Sequence, residues 1–385
     1  VRRWQWGGML AVAMALAFSG SASQAQEFET KARQALVIDA LTDTVLLSKA
    51  ADEAVPPASM AKLMTVELVL SALKDGSLAR DTFFPVSEHA WRTGGAPSGT
   101  STMFAALNSR VSVGDLLQGI VVQYANDACI VLAEGMVGSE GKFAERMTAR
   151  AREIGLKAST FANPTGLPAA GNLTTMRDLV TLARHVRSAY PDDVSLFRQA
   201  EFEWNKIRQR NRNPLISAEI GVDGYVTGFA EGYGYGIVAS MARDGRRVDL
   251  ALNGLQTDKD RTAEAKRVFD WAMTQFSEKR LFAESELVAE ASVYGGDRPT
   301  VGLVTAGPVD ILLPVKTPAK LSARVVYRWP LTVPVRAGDV AATLRIWNGD
   351  HLLREVPLKA AASVEAGSLT SRATDALQEL LFFWL

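Results

Sequence analysis

Apolar positions along this chain fall into short runs whose spacing separates strands from helices. Residues 35–38 (Ala-Leu-Val-Ile) and 44–47 (Thr-Val-Leu-Leu) flank the polar stretch Asp39-Ala-Leu-Thr-Asp43 and predict a strand hairpin. Leu63, Met64, Val66, Leu68, Val69, Leu70 and Leu73 predict a helix over 59–74, closed by Asp75-Gly76. That helix is apolar almost all round, the mark of a buried central element. Polar loops with Gly94-Gly95 and Pro97-Ser-Gly99 follow. Ser112 and Asp115 read as a capping box opening a helix through Val122, and a break over 123–126 precedes another helix over 127–137. Thr175 with Asp178 opens a further helical run through Leu179, Leu182 and Val186. After Gly221 the segments 223–229, 236–241 and 248–253 predict an antiparallel meander, and 261–276 predicts a helix. Strands, helices, strands and a last helix imply an α/β domain with one antiparallel sheet covered by helices.

Residues 285–360 change character. Short β-rich pieces alternate with Pro and Gly every 8–12 residues, the pattern of a small β-sandwich. The two ends differ from both domains. Arg2-Arg3, an apolar stretch over 7–18 and the small-residue run Gly20-Ser-Ala-Ser-Gln-Ala25 have the order of a secretory signal, with cleavage after Ala25. At the other end Leu377, Leu380, Leu381, Phe382, Phe383, Trp384 and Leu385 crowd into 371–385. Fifteen residues are too few to span a bilayer, but an amphipathic helix of this kind lies in the membrane interface. The organisation expected is therefore 1–25 signal peptide, 26–278 α/β domain, 285–366 β-sandwich and 368–385 membrane-associating helix.

Charge and composition mainly exclude. The 385 residues carry 42 Lys+Arg and 42 Asp+Glu, for zero net charge with no long basic run, which speaks against a nucleic-acid partner. His89, His185 and His351 lie far apart and Cys129 stands alone, so no metal centre, disulfide framework or cofactor is expected. Cys129, in an apolar run, reads as a buried small hydrophobe. A Ser-His-Asp triad through His89 or His185 lacks a nucleophile-elbow motif.

Ser59-Met-Ala-Lys62, just after Pro56-Pro57, is where chemistry enters. Residues at i and i+3 share a helix face, so the amine reaches the hydroxyl, and a neutral lysine there can take the serine proton. Tyr124-Ala-Asn126 falls between two predicted helices, and Val226-Thr-Gly228 on a predicted strand. In order and spacing these three segments resemble the S-x-x-K, S-x-N and K-T-G motifs of the low-molecular-mass penicillin-binding proteins, the serine D-alanyl-D-alanine carboxypeptidases. Asn126-Asp-Ala-Cys129, Phe161-Ala-Asn-Pro-Thr-Gly-Leu167, Asn211-Arg-Asn213 and Val222-Asp-Gly224 extend the resemblance over nearly the whole chain after the signal. It implies the penicillin-binding-protein/β-lactamase-like transpeptidase fold, with the C-terminal β-sandwich and terminal amphipathic helix.

Carried onto this sequence, the resemblance makes Ser59 the nucleophile toward peptidoglycan stem peptides ending in D-Ala-D-Ala, and toward β-lactams. Lys62 becomes the general base. Asn126 orients the substrate amide and holds Lys62, and Thr227 binds the terminal carboxylate. Val226, Gly228 and Phe229 line the substrate strand, with the backbone N–H groups of Ser59 and Phe229 as oxyanion donors. Arg261 reaches towards the carboxylate. The site is placed in the periplasm, on a protein peripherally attached to the inner membrane through 371–385.

Two positions depart from the family pattern. Tyr124 replaces a serine: either it fills a dead position, or its phenol relays protons beside Lys62 once its pKa is lowered. Val226 replaces a lysine that attracts the carboxylate and repels charge on the S-x-x-K lysine, so Lys62 is expected to retain its proton. The main reading is a serine D-Ala-D-Ala carboxypeptidase, weakened by Val226. The alternatives are a pseudoenzyme that binds peptidoglycan or cell-wall machinery, and a β-lactamase-like hydrolase suggested by Tyr124-Ala-Asn126.

Overall fold

The computed structural model describes residues 28–316 and 320–368. The signal peptide and the terminal amphipathic helix read from the sequence lie outside them. Among the described residues no helix is long and apolar enough to cross a membrane.

The first half is built on a five-stranded sheet, in spatial order Val45–Lys49, Gln34–Asp39, Arg246–Leu255, Gly234–Arg243 and Val222–Ala230. Every pairing is antiparallel, so the predicted hairpin and meander join into one sheet. Successive side chains on a strand point to opposite faces. Leu36, Val238 and Ala251 accordingly enter the core under the main helices, while Ala35, Val37, Ile237, Ala239, Leu250 and Leu252 enter the core under the helix Asp258–Thr274. The main helical layer contains Lys62–Lys74, Val113–Gln123, Asn126–Val137, Glu140–Glu153 and Met176–Ala189. Side chains of Ser112, Ser139, Thr175 and Thr257 each accept from a backbone N–H three residues on, fixing where four helices begin.

Local departures from the predicted elements have simple causes. The serine-bearing helix starts as a 3₁₀ turn, Ala58–Ala61, and becomes α only at Lys62. Pro57 lacks an N–H, Ala58 is left-handed at φ 48°, and Met60 N–H closes on Pro57 O at 3.1 Å. The helix Glu140–Glu153 has a mostly polar sequence and buries only Phe143, Ala144, Met147 and Ala151, too thin a stripe to stand out. Glu88–Thr93, read as polar loop, forms a short helix on its Ser87 cap.

Beyond Thr274 the chain is β-rich. A six-stranded sheet and the antiparallel pair Phe276–Phe282/Val309–Pro314 enclose a core that includes Ala291, Leu303, Ile311, Leu344 and Leu358. Leu312 N–H donates to Thr44 Oγ1 at 3.0 Å in a buried contact that ties this unit to the first hairpin.

Two segments clamp the serine turn. On one side Gly228 lies on the edge strand, where a Cβ would meet Pro57 O, Ala58 and Met60 at 3.2 Å. On the other, Gly166 has φ +77° and a Cβ there would sit 1.8 Å from Ala58 O. Asn163 builds this loop, its Oδ1 accepting from Thr165 Oγ1 and Gly166 N–H and its Nδ2 donating to Leu167 O. Gly166→Ala combines left-handed strain with a backbone collision, so unfolding stability should fall by about 3 kcal/mol or more. Urea melts of the two proteins check this; an unchanged midpoint would show that the loop does not clamp the turn.

Candidate active site

Eclipsed side chains at i and i+3 in a 3₁₀ turn bring Ser59 and Lys62 together. Lys62 Nζ lies 3.2 Å from Ser59 Oγ and also donates to Thr165 O at 2.5 Å. Ser59 is half-buried, whereas Lys62 is only 2% exposed. Burial pushes the Lys62 pKa down to about 8, with the Arg212 charge pushing the same way. Valine at 226 removes a like charge but leaves an apolar wall beside the amine, together with Leu63 and Val66. Desolvation thus lowers the Lys62 pKa in the direction the missing lysine would have, while near neutral pH most molecules still retain the Lys62 proton, as expected from the sequence. At pH 7 about one molecule in ten then carries the neutral amine.

Asn126 opens the helix Asn126–Val137, but it does not hold Lys62. Its Nδ2 donates to Thr100 Oγ1 at 2.9 Å and its backbone N–H to Ser101 O at 2.7 Å. Its Oδ1 is buried with no hydrogen-bond partner. An unpaired buried carbonyl is costly to maintain, and it is an acceptor available to a substrate N–H. The next residue, Asp127, does the structural work: its carboxylate accepts from Thr102 Oγ1 and from the N–H groups of Met103, Ala105 and Ala128.

Tyr124 ends the preceding helix in the left-handed conformation, at φ 55°. Its ring is 4% exposed, and its hydroxyl accepts from Thr227 N–H at 3.2 Å. Burial pushes the phenol up to about 12, opposite to what a proton relay beside Lys62 requires. The lowered pKa considered from the sequence is thus corrected. Here the phenol is a spacer that holds the edge strand.

That bond also orients the strand. N–H groups alternate between the two sides of a strand, so Phe229 N–H points out from the same free edge as Thr227 N–H. Phe229 itself is 54% exposed and tilted against Tyr235, with ring centroids 4.5 Å apart. Val226 pairs with Val238 and faces the Lys62 side, whereas Thr227 pairs with Ile237 and faces the Asp258–Thr274 helix that carries Arg261. Arg261 does not reach out into a cleft. It is 4% exposed, ion-paired to Asp258, and stacked 5.9 Å from the Tyr235 ring centroid. Cys129 is buried and its thiol is pushed up to about 12, in keeping with a small core residue.

Sequence reasoning singled out no role for Thr165, Asp127 or Arg212, although all three sit in segments whose resemblance it noted. Two of them act through a backbone carbonyl or a backbone-capping carboxylate, which no side-chain motif announces.

A helix-borne serine clamped against the edge strand of an antiparallel sheet, with a β-rich unit behind, is the architecture of the penicillin-binding proteins. Residues 19–256 match the D-alanyl-D-alanine carboxypeptidase family, and residues 276–366 match the penicillin-binding protein 5 C-terminal domain. The chain belongs to the D-alanyl-D-alanine carboxypeptidase family, a family of serine hydrolases of peptidoglycan. It is 32% identical to the D-alanyl-D-alanine carboxypeptidase DacC of Escherichia coli, over 92% of this chain and 89% of that one. Crystal structures of penicillin binding protein 5 from Haemophilus influenzae superpose with a TM-score of 0.72 at 28% identity, covering 88% of this chain and 98% of that one. Penicillin-binding protein D2 from Listeria monocytogenes, in its ampicillin-bound form, gives 0.57 at 25% identity over 64% of this chain and 99% of that one.

Tyr124→Phe leaves Thr227 N–H buried without an acceptor. Stability should drop by about 1–3 kcal/mol, read as a lower urea midpoint at constant m-value; no drop would mean that the phenol does not hold the strand.

Proposed function

We propose that Ser59 forms the acyl-enzyme on peptidoglycan stem peptides ending in D-Ala-D-Ala, with Lys62 as its base. The observation that carries this reading is the 3.2 Å Lys62 Nζ–Ser59 Oγ contact on an amine whose pKa burial lowers to about 8. Neutral Lys62 accepts the Ser59 proton as Oγ attacks the penultimate D-Ala carbonyl. The developing oxyanion meets the backbone N–H groups of Ser59, at an end of a helix where such donors lack helical partners, and of Phe229 on the free strand edge. Donors so placed contribute about 3 kcal/mol each to the transition state. The proton then passes from Lys62 to the departing D-alanine nitrogen, and water attacks the Ser59 ester to release the shortened peptide. Asn126 Oδ1 accepts the substrate N–H, and Thr227 meets the terminal carboxylate; Val226, Gly228 and Phe229 shape the strand along which the peptide lies.

Penicillins acylate the same serine, a reading supported by the ampicillin-bound form of a structural relative. The arginine pair and apolar run near the start of the chain support export to the periplasm, and the apolar cluster in 371–385 supports peripheral attachment to the inner membrane. The units proposed remain 1–25, 26–278, 285–366 and 368–385.

Incubation with benzylpenicillin followed by intact-mass measurement tests the assignment. One covalent adduct is expected on the wild type and none on Ser59→Ala. Absence of any adduct at high drug concentration and raised pH would leave a protein that binds cell wall without turnover.

A further inference from the structure

The β-rich unit carries exposed apolar side chains at the end from which the chain leaves it. The strands Leu321–Val326 and His351–Ala360 finish at this end and Val340–Asn348 starts there, because Val326 pairs with Thr343 and Val340 with Lys359. The turn 295–299, between Leu287–Tyr294 and Thr300–Thr305, lies at the same end, since Leu303 pairs with Ala360 and Ser292 with Thr300. Val326 and Val340 are exposed here, and Trp329 is 68% exposed. The hairpin at the opposite end of the same strands reads Asn348-Gly-Asp-His351 and is polar.

The tip that carries Trp329 is fastened at its base. Tyr327, Leu331 and Val333 pack against the core, and Ser292 N–H donates to Tyr327 Oη at 3.3 Å. Leu331 and Thr332 pair in parallel with Val293 and Tyr294. The exit of the chain adjoins this pairing. Val335 and Val364 exchange backbone bonds of 3.0 and 2.8 Å, and Gly367 N–H donates to Gly295 O at 2.8 Å, one residue beyond the Tyr294–Thr332 pair. Trp329 precedes Thr332 by three residues, a reach of about 11 Å at most. It therefore lies near the point at which the chain leads on to 371–385.

We infer that this end of the β-rich unit rests on a lipid bilayer, with the Trp329 ring seated in the interface as a second anchor beside 371–385. The inference rests on the membrane reading of 371–385 proposed above. An indole suits that place, because its body is apolar and its N–H finds partners in the headgroup layer. The turns of this end carry Arg298, Arg328 and Arg336 against Asp297, Asp339 and Glu365, so their charges cancel. The attraction is then apolar, and uncharged lipid suffices with little dependence on salt. A tail alone leaves the body free to swing. Once the tail is inserted, Trp329 meets the interface at high effective concentration, and the second contact fixes the tilt of the unit.

The test mixes the full chain with phosphatidylcholine vesicles and reads the bound fraction by flotation. Trp329→Ala should weaken partitioning about tenfold, the effect of withdrawing one aromatic side chain from an apolar contact, and Trp329→Tyr should recover most of it. Unchanged binding of Trp329→Ala, beside loss in Phe382→Ser/Trp384→Ser, would overturn this inference and leave the tail reading standing. Weakened binding of Trp329→Ala beside an unaffected tail variant would support Trp329 as an anchor and count against the tail reading alone. A wild type that stays off the vesicles would overturn both. The contact is also read directly by a nitrobenzoxadiazole label on Trp329→Cys, Cys129 being buried. Its emission should shift to the blue when vesicles are added, whereas the same label on Leu41→Cys, in the first hairpin, should not respond. No shift at 329, or equal shifts at both positions, would overturn the inference. So would a vesicle-independent dimer that Trp329→Ala abolishes, because this face would then seat a second copy of the chain.

Discussion

The buried amine of Lys62 is the constraint to which the rest of the site answers. An ammonium taken from water without a carboxylate partner is expensive, and among the described residues Lys62 bonds to Ser59 Oγ and Thr165 O. Its pKa falls from 10.5 to about 8 as a result. The sign follows by linkage: the unfolded chain binds the Lys62 proton more tightly, so this residue destabilises the fold below pH 8, by about 3 kcal/mol, and that cost fades as pH rises towards 10.5. The surrounding core, from Leu63 and Val66 on the same helix to Val226 on the strand, offsets it and at the same time creates it, because apolar packing is what excludes water from the amine. Thr165 reaches its place only because Gly166 lets the loop touch Ala58 O.

The two departures from the family motifs make physical sense together. A lysine at 226 would need solvent or an anion at its tip. Valine needs neither, and it packs in the same enclosed space as the Tyr124 ring and the Lys62 stem. The tyrosine in turn supplies an acceptor to Thr227 N–H, which a short serine at the end of the same helix would have to stretch to reach. One charge and one small hydroxyl have been exchanged for a packed, neutral pair. On the function proposed, the reactivity of Ser59 then depends on desolvation of the Lys62 amine.

Much of this was legible from residues alone. Ser59 and Lys62 were readable because their chemistry and their spacing coincide, and the meander was readable because β-branched runs alternate with glycine. The family followed from three motifs in order, and the fold followed from the family. What escaped were properties of three-dimensional surroundings. The Lys62 pKa depends on its surroundings, so the loss of one repelling charge at 226 suggested an amine near its ordinary pKa, while burial lowers it to about 8. The orientation of the Tyr124 hydroxyl, the capture of Arg261 by Asp258 and the turn-clamping role of the 163–167 loop all depend on backbone geometry. The thin apolar stripe of Glu140–Glu153 was too weak a periodic signal to reveal its helix.

The pH dependence of D-alanine release from a D-Ala-D-Ala-terminated tripeptide tests most directly whether a desolvated lysine drives this serine. The rate should climb about tenfold per unit below pH 8 and level off above it, as the neutral amine becomes the dominant form. A rate that is flat from pH 6 to 9, or one still climbing past pH 10, would contradict the account.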